Sequence, residues 1–249
     1  MQNFKSYLTE AAVKNIAPWQ DPSNPAYVDI DVSDYFRGPV KRNKNGTYST
    51  SALRGNFISV LRLDDGKQYV LPVKFSTMSY FETISGVENG LTTLQGCPDK
   101  VRHEMVIDSK NLTTLDYLYT QVHWKLSIQC PNLKTFGDAK AKSLDLVLYD
   151  IGDVPLKEVQ HHFEVTHTIY LGFDAAYRKP VLSIFKVKGP WVSIEQRASF
   201  DQWKSDPDGS KTKEFNSVCK ILSKYAKSRD IIACQRELIE NDLDEYAEF

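Results

Sequence analysis

The central part of the chain repeats one pattern of apolar and polar residues. Residues 89–94, with the sequence NGLTTL, return as KNLTTL at 110–115 and, in altered form, as PNLKTF at 131–136. The leucines at 91, 112 and 133 therefore recur with a step of 21 residues. A fixed period in the twenties indicates a stack of similar units, each of which buries its apolar side chains against the next.

Short strand patterns precede two of the copies. Met105 and Ile107 in the first strand align with Leu126 and Ile128 in the second at the same step of 21 residues. Each unit is therefore predicted to add one parallel strand about 4.8 Å from the previous one. The leucines of the repeated segments are expected to close the apolar interior from the other side.

Asparagines lie where the chain is predicted to turn after these strands. We expect the side chains of Asn111 and Asn132 to satisfy free backbone groups of the bend. Further strands are predicted at 145–149, 168–171 and 181–185, although the step drifts away from 21 residues in this region.

Alternating and turn-forming residues predict a small β unit in the N-terminal third. Apolar residues alternate with aspartates over 28–32, and the polar segment 41–50 contains Asn-Gly, which is typical of a loop or hairpin turn. Apolar runs at 57–63 and 69–75 flank an Asp-Gly sequence, which indicates a second hairpin. We expect this unit to cover the open end of the repeat.

Two amphipathic helices are predicted at the C-terminal end, over residues 213–227 and 229–246. Apolar residues share one face of each helix, and Asp230 can serve as the N-cap of the second. The structural interpretation is a helical cap over the last repeat. The alternative is a helix that docks on a partner.

The repeat also resembles a known family. Residues 89–98, NGLTTLQGCP, look like one clean copy of the motif in leucine-rich-repeat proteins of large contractile-tailed bacteriophages. The sequence ACQRELI at 233–239 and Glu-Tyr-Ala at 245–247 are similar to the closing helix of that family. The resemblance covers roughly residues 70–249 and marks the chain as a divergent member, which implies a repeat fold and a phage source.

The N-terminal peptide carries a second, separate resemblance. Phe4 and Leu8 share a face with Ala11 at helical spacing, and the segment is similar to capsid-targeting peptides of internal head proteins in such phages. The resemblance implies cleavage by a prohead protease after Leu8-Thr9-Glu10, before Ala11. The alternative is a short docking helix that ends before Pro18.

These patterns predict an α+β fold. Its main part is expected to be a leucine-rich-repeat-like solenoid with a parallel sheet, an N-terminal β cap and a C-terminal helical cap. The predicted boundaries are 1–25 for the peptide or helix, 26–76 for the β-hairpin cap, 77–200 for the solenoid and 201–249 for the helical cap.

Composition narrows the choice of partners. The formal net charge of the chain is −1, so it provides no electrostatic reason to expect nucleic acid or a membrane surface as a partner. No apolar run is long enough to span a bilayer, and the four cysteines form no CxxC pair. Reduced thiols in a cytosol are expected.

Chemistry-bearing motifs are not found in the sequence. His161, His162 and His167 do not form a helical metal-binding pair, and no glycine-rich phosphate loop or Gly-x-Ser-x-Gly occurs. His103 and His123 fall near matching places in adjacent units and would be neighbours, but residues beside a strand more often lie at the surface than bind metal. We therefore expect no catalytic residues, no metal and no cofactor, and we do not expect an enzyme.

The strand alternation predicts which residues point outward. The outward columns are Glu104, Lys125, Asp145 and Thr168; Val106, Ser127, Val147 and Tyr170; and Asp108, Gln129, Tyr149 and Phe185. Within them, the candidate binding residues are Lys125, Ser127, Gln129, Val147, Tyr149, Tyr170 and Phe185. Exposed aromatic side chains on a rigid sheet are typical interface anchors. The alternative is that the C-terminal helices cover the aromatic residues and make them part of the core.

The sequence thus favours a phage-encoded, protein-binding repeat module. It is expected either in the virion, packaged in the head and binding a host or virion protein, or in the host bacterial cytoplasm. The alternative function is a cytoplasmic inhibitor of a host defence or host enzyme. An enzyme with an unrecognised site is a third and less favoured hypothesis.

Overall fold

The computed structural model describes residues 17–21, 23–25, 27, 29, 40–50, 61–62, 68–83, 90–152, 154–173, 181–187, 191–196 and 210–248. Leu8, Glu10 and Ala11 of the predicted processing site lie outside these residues, as do all residues but Asp29 of the strand predicted at 28–32. The first described segment forms a 3-10 helix, Pro18–Gln20, which is attached to the rest of the protein by a hydrogen bond of 3.0 Å from Trp19 Nε1 to the Leu71 carbonyl oxygen.

The described residues contain thirteen strands and three α-helices. The strands are β1 (Val40–Arg42), β2 (Tyr48–Thr50), β3 (Leu61–Arg62), β4 (Tyr69–Val70), β5 (Phe75–Met78), β6 (Phe81–Glu82), β7 (Lys100–Val101), β8 (Glu104–Asp108), β9 (Tyr119–Val122), β10 (Lys125–Gln129), β11 (Lys140–Tyr149), β12 (Phe163–Phe173) and β13 (Trp191–Gln196). The helices are α1 (Val159–His162), α2 (Ser210–Ala226) and α3 (Ile231–Glu240). Further 3-10 helices span Leu156–Glu158, Val181–Lys186 and Asp244–Tyr246.

Eleven of the described strands form one curled sheet, whose order is β1-β2-β5-β7-β9-β11-β10-β8-β6, with β12 and β13 joined beyond β11. All pairings in it are parallel except that of β1 with β2. The fold is therefore α+β, with the parallel sheet arranged as a β-solenoid of about four turns. The predicted α+β solenoid is confirmed at this level.

Each central coil has two strands separated by a corner. β7 and β8 belong to one coil, β9 and β10 to the next, and in the third coil the two strands merge into the single long strand β11. The first half of β11 pairs with β9 and its second half pairs with β10. The sequence analysis predicted only the second strand of each coil.

The solenoid interior contains the residues that the repeat predicted. Met105, Ile107, Leu126 and Ile128 are fully buried, and the register aligns Met105 with Leu126 and Ile107 with Ile128. On the other side of the coil, the buried residues are Leu91, Leu94, Leu112, Leu115, Leu133 and Phe136. Burial of each such side chain contributes about 1.5–3 kcal/mol, so this interior supplies most of the folding free energy of the coils.

The asparagines of the repeat connect successive coils. Asn111 Nδ2 donates to the Gly90 carbonyl oxygen at 2.9 Å, and Asn132 Nδ2 donates to the Lys110 carbonyl oxygen at 2.7 Å. Both acceptors belong to the preceding coil. The prediction that these side chains satisfy backbone groups at the bend is confirmed.

The later coils replace the Asn-Leu turn with short helices. Ile151, Val154 and Leu156 are buried, and the 3-10 helix Leu156–Glu158 continues into α1. The sixth strand predicted at 181–185 is wrong, because this segment is the 3-10 helix Val181–Lys186, and the next strand of the sheet is β13. The apolar run at 181–185 is too short for its periodicity to distinguish a helical turn from a strand.

The structure describes two hairpins in the N-terminal third, where the sequence predicted a loop or hairpin turn at 41–50 and a hairpin between the apolar runs at 57–63 and 69–75. β1 and β2 pair antiparallel around the segment with Asn45, and Gly46 adopts φ +80°, which favours glycine at this turn. β3 and β4 pair antiparallel as a separate two-stranded sheet. β2 also pairs in parallel with β5, so the first hairpin extends the large sheet.

The two C-terminal helices are confirmed, with shorter bounds for the second. Asp230 is its N-cap, because its carboxylate accepts a hydrogen bond of 3.0 Å from the Ala233 amide. α2 packs against β13 and against α3, and its residues Phe215 and Leu222 are buried. None of the described helices is both long and apolar enough to cross a membrane.

Candidate binding surface

The second strand of each coil presents its alternate side chains away from the interior. Lys125 is in register with Glu104 and Asp145, and Ser127 is in register with Val106 and Val147. The remaining register pairs of these columns are Asp145 with Thr168, Val147 with Tyr170, Asp108 with Gln129, and Gln129 with Tyr149. The register therefore confirms the predicted columns for every residue except Phe185. These side chains are half-buried, apart from those of Thr168 and Tyr149, which are buried.

Charged side chains in the first column are ordered by contacts between coils. Lys125 Nζ lies 2.6 Å from Glu104 Oε1, with about a third of the lysine side chain exposed. Asp145 Oδ1 accepts a hydrogen bond of 3.1 Å from the Thr168 amide and lies 2.8 Å from His167 Nδ1. A partly exposed ion pair such as Lys125–Glu104 contributes about 0.2–1 kcal/mol, so it sets side-chain positions more than stability.

Tyr149 is not available as an exposed anchor. Its side chain is buried, because the ring lies over Gly172 of the neighbouring strand, which has no side chain at that position. A Cβ at Gly172 would lie 2.2 Å from Tyr149 Cδ2. The prediction of an exposed aromatic residue is wrong at Tyr149, and of the two alternatives burial applies there.

Phe185 does not belong to an outward column. It lies in the 3-10 helix Val181–Lys186 and is buried in the core, so its predicted position is wrong. Glu195 of β13 follows Gly172 in the register instead. Tyr170 remains half-buried on the sheet, next to Val147.

Among the described residues of the solenoid, the large exposed apolar side chains lie at the corner between two strands of a coil or at the matching position of β11, where the register with β12 shifts. Trp124 is 50% exposed and Leu144, in the next coil, is 39% exposed. The Leu144 amide donates to the Trp124 carbonyl oxygen at 3.1 Å, so the two residues follow each other at the same corner.

The preceding coil places His103 at the same corner. The Trp124 amide donates to the His103 carbonyl oxygen at 3.2 Å, and the His103 ring stacks on that of Tyr80 with centroids 4.8 Å apart. We call Tyr80, His103, Trp124 and Leu144 the corner ridge. His123, which the sequence placed near His103, is exposed just before Trp124.

The corner ridge was missed in the sequence analysis, although the period carried a signal for it. His103 and Trp124 are 21 residues apart, and each is the first residue of a predicted strand, 103–108 and 124–129. The period-2 alternation would point both side chains inward, in phase with Met105 and Leu126, but the strands begin one residue later, at Glu104 and Lys125. Only the position of the bend shows that their side chains leave the coil.

The burial and the raised pKa of the Cys97 and Cys130 thiols do not favour a nucleophilic role. Burial raises the pKa of the Cys97 and Cys130 thiols to about 12, so both are protonated at neutral pH. A nucleophilic cysteine requires a lowered pKa and access to substrate. These two side chains act as small apolar residues of the core.

No protein-family model, curated protein or solved structure gives a significant match to this chain.

Proposed function

We propose that the protein is a protein-binding repeat module, which uses the outward columns and the corner ridge as its contact surface. The observation that carries the proposal is the half-exposed Trp124 beside the exposed Leu144, on a corner fixed by backbone hydrogen bonds between coils. Large aromatic side chains on a rigid scaffold lose little conformational entropy on binding and dominate interface energies.

Polar and charged side chains surround Trp124, as they surround the apolar centre of many protein interfaces. The first column brings Glu104, Lys125 and Asp145 next to the ridge, while the second column contributes Ser127 and Val147. A central apolar group within polar side chains that can pair with a partner is the common arrangement of protein interfaces.

We also propose that the solenoid is a divergent leucine-rich repeat with a cap at each end. Support comes from the asparagines that contact the preceding coil and from the helical segments that follow β11 and β12 in the later coils. The β1–β2 hairpin at one edge of the sheet and α2 against β13 at the other are suited to protect the terminal strands.

A phage source is part of the same proposal. It rests on the resemblance of residues 89–98 and of the closing helix to phage repeat proteins, and on the Leu8-Thr9-Glu10 pattern of the N-terminal peptide. The partner would be a virion protein or a host protein. A cytoplasmic inhibitor of a host defence or host enzyme is the second candidate.

The surface is tested by capture of a partner from a lysate of the infected host. We expect Trp124→Ser with Leu144→Ser to reduce the captured amount at least tenfold, because the pair removes the apolar centre of the contact. The matched control is Ile232→Ser with Ile239→Ser, which removes two exposed apolar residues of α3. Equal capture by both double variants would exclude the corner ridge.

The location is tested by mass spectrometry of purified virions. If the protein is packaged and processed, the particle contains a chain that begins at Ala11. Absence from the particle favours the cytoplasmic inhibitor, and an intact Met1 in the particle argues against prohead processing.

A further inference from the structure

An open cavity of about 640 Å³ lies between the β1–β2 hairpin and the solenoid. One wall comes from β1, β2 and the turn between them, and the other comes from β5 and from Arg102 at the corner after β7. Its volume falls within the range of pockets that hold small ligands, about 300–1,000 Å³. The cavity is separate from the columns and ridge proposed above for protein binding.

The charge of this cavity differs from that of the whole protein. Of its eleven described lining residues, three are cations, Lys41, Lys44 and Arg102, and none is a carboxylate. The chain as a whole has a net charge of −1. The three cationic side chains are exposed, and none forms an ion pair with another residue that the structure describes.

The two carboxylates nearest to Arg102 along the chain, Glu104 and Asp99, each pair with another cation. Glu104 Oε1 lies 2.6 Å from Lys125 Nζ. Asp99 lies 2.7 Å from the buried Nζ of Lys74. Asp99 therefore does not neutralise the positive charge of the cavity. Lys100, which is in register with Thr77 of the lining, adds a further exposed cation at the border.

The polar floor of the cavity is held in place before any ligand binds. Asn43 Nδ2 donates to Ser76 Oγ at 2.9 Å and to Thr47 Oγ1 at 3.0 Å, and Ser49 Oγ donates to Asn43 Oδ1 at 3.3 Å. The bond to Ser76 connects the β1–β2 hairpin to β5, and the other two hold Asn43 in place within the hairpin. A preorganised polar site loses less free energy on binding than a mobile one.

The lining indicates the class of ligand. Seven of the eleven residues are asparagine, serine or threonine, and the remaining one is Val40. Arginine and lysine side chains recognise phosphate groups, and hydroxyl and amide groups recognise sugar hydroxyls. The described lining contains no aromatic ring on which a nucleobase could stack, which argues against a nucleotide or single-stranded nucleic acid.

We propose that this cavity, the cationic groove, binds a small phosphorylated carbohydrate that carries at least two anionic groups. The cations bind the phosphates, with Arg102 positioned at one wall and Lys41 and Lys44 at the other. The hydroxyl and amide groups of the floor bind the sugar.

The probe for this site is fructose 1,6-bisphosphate, measured by isothermal titration calorimetry against fructose and inorganic phosphate. We expect saturable binding of the bisphosphate, at least tenfold weaker binding of phosphate and none of fructose. The variant Lys41→Gln/Lys44→Gln/Arg102→Gln should lose at least tenfold in affinity for the bisphosphate.

A second triple variant, Lys110→Gln/Lys134→Gln/Lys157→Gln, removes the same charge at exposed positions outside the groove and should keep its affinity. Equal losses in the two triple variants would show general charge attraction and overturn the assignment. The absence of saturable heat would overturn it as well. Tighter binding of a single-stranded oligonucleotide than of the bisphosphate, lost in the groove variant, would overturn the ligand class.

Discussion

Lys74 is a charged side chain that is buried where the N-terminal hairpin meets the solenoid. It is 3% exposed, its Nζ donates to the Cys97 carbonyl oxygen at 2.6 Å, and it pairs with Asp99. Burial raises the pKa of the Asp99 carboxyl, and the charge of Lys74 offsets only part of this effect. The pair is therefore a polar exception within an apolar interior, and its two charges depend on each other.

This pair makes the stability of a Lys74 variant depend on pH. Because the pKa of Asp99 is raised in the folded state, its titration favours folding at low pH, and that contribution is lost as pH rises through the folded pKa. Lys74→Met raises this pKa further, so it should cost about 3 kcal/mol at pH 7, where the carboxylate is left without its counterion, and less at pH 4.

Urea denaturation at the two pH values measures the difference. In the control Lys74→Met/Asp99→Asn, the extra cost at pH 7 should disappear. A cost of Lys74→Met that is the same at pH 4 and pH 7 would show that the ion pair is not responsible.

Tyr149 and Gly172 show how two strands adjust to each other at the level of elements. The ring of Tyr149 in β11 occupies the space above Gly172 in β12, where any side chain would collide with it. This space above Gly172, the notch, takes up the Tyr149 ring and so removes a large aromatic side chain from the outward face of the sheet. Neighbouring strands thus decide which outward residues remain accessible.

We expect Gly172→Ala to destabilise the protein by about 1–3 kcal/mol, because the new Cβ displaces the Tyr149 ring. Chemical denaturation measures this loss. In a Tyr149→Ala background the same glycine substitution should cost less, so the double-mutant cycle should give a coupling energy clearly different from zero. Additive effects would mean that the ring does not fill the notch.

At the scale of the whole molecule, the C-terminal helices are joined to the last coil through α2. Phe215, Val218 and Leu222 are buried on one face of this helix, and α2 contacts β13. In a solenoid each unit is stabilised mainly by its neighbours, so a helix at the end of the stack stabilises the strand beneath it.

Phe215→Ala should therefore lower the free energy of unfolding by about 3–5 kcal/mol. Circular dichroism at a helix wavelength and tryptophan fluorescence should report a single shifted transition, because helices and coils unfold together. The control Lys220→Ala changes an exposed residue of α2 and should shift stability by less than about 0.5 kcal/mol. Two separate transitions would show that the helices form an independent unit.

The interior of the solenoid could be predicted because it depends on period. Met105 and Leu126 recur with the step of the coil, and each must be buried in every coil for the stack to form. The exposed surface could not be predicted in the same way. Tyr149 and Phe185 are aromatic, as interface anchors often are. The exposure of Tyr149 depends on Gly172, and that of Phe185 depends on the path of the chain after β12.

The sequence by itself determined the repeat, its step, the inward residues, the asparagine contacts and the C-terminal helices, since these follow from local pattern and from the pairing of identical units. Only the tertiary structure decided the second strand of each coil, the exposure of Trp124 at the corner, and the meeting of Lys41 and Lys44 with Arg102. These features arise from where the chain bends and from contacts between residues distant in sequence, which no local periodicity encodes.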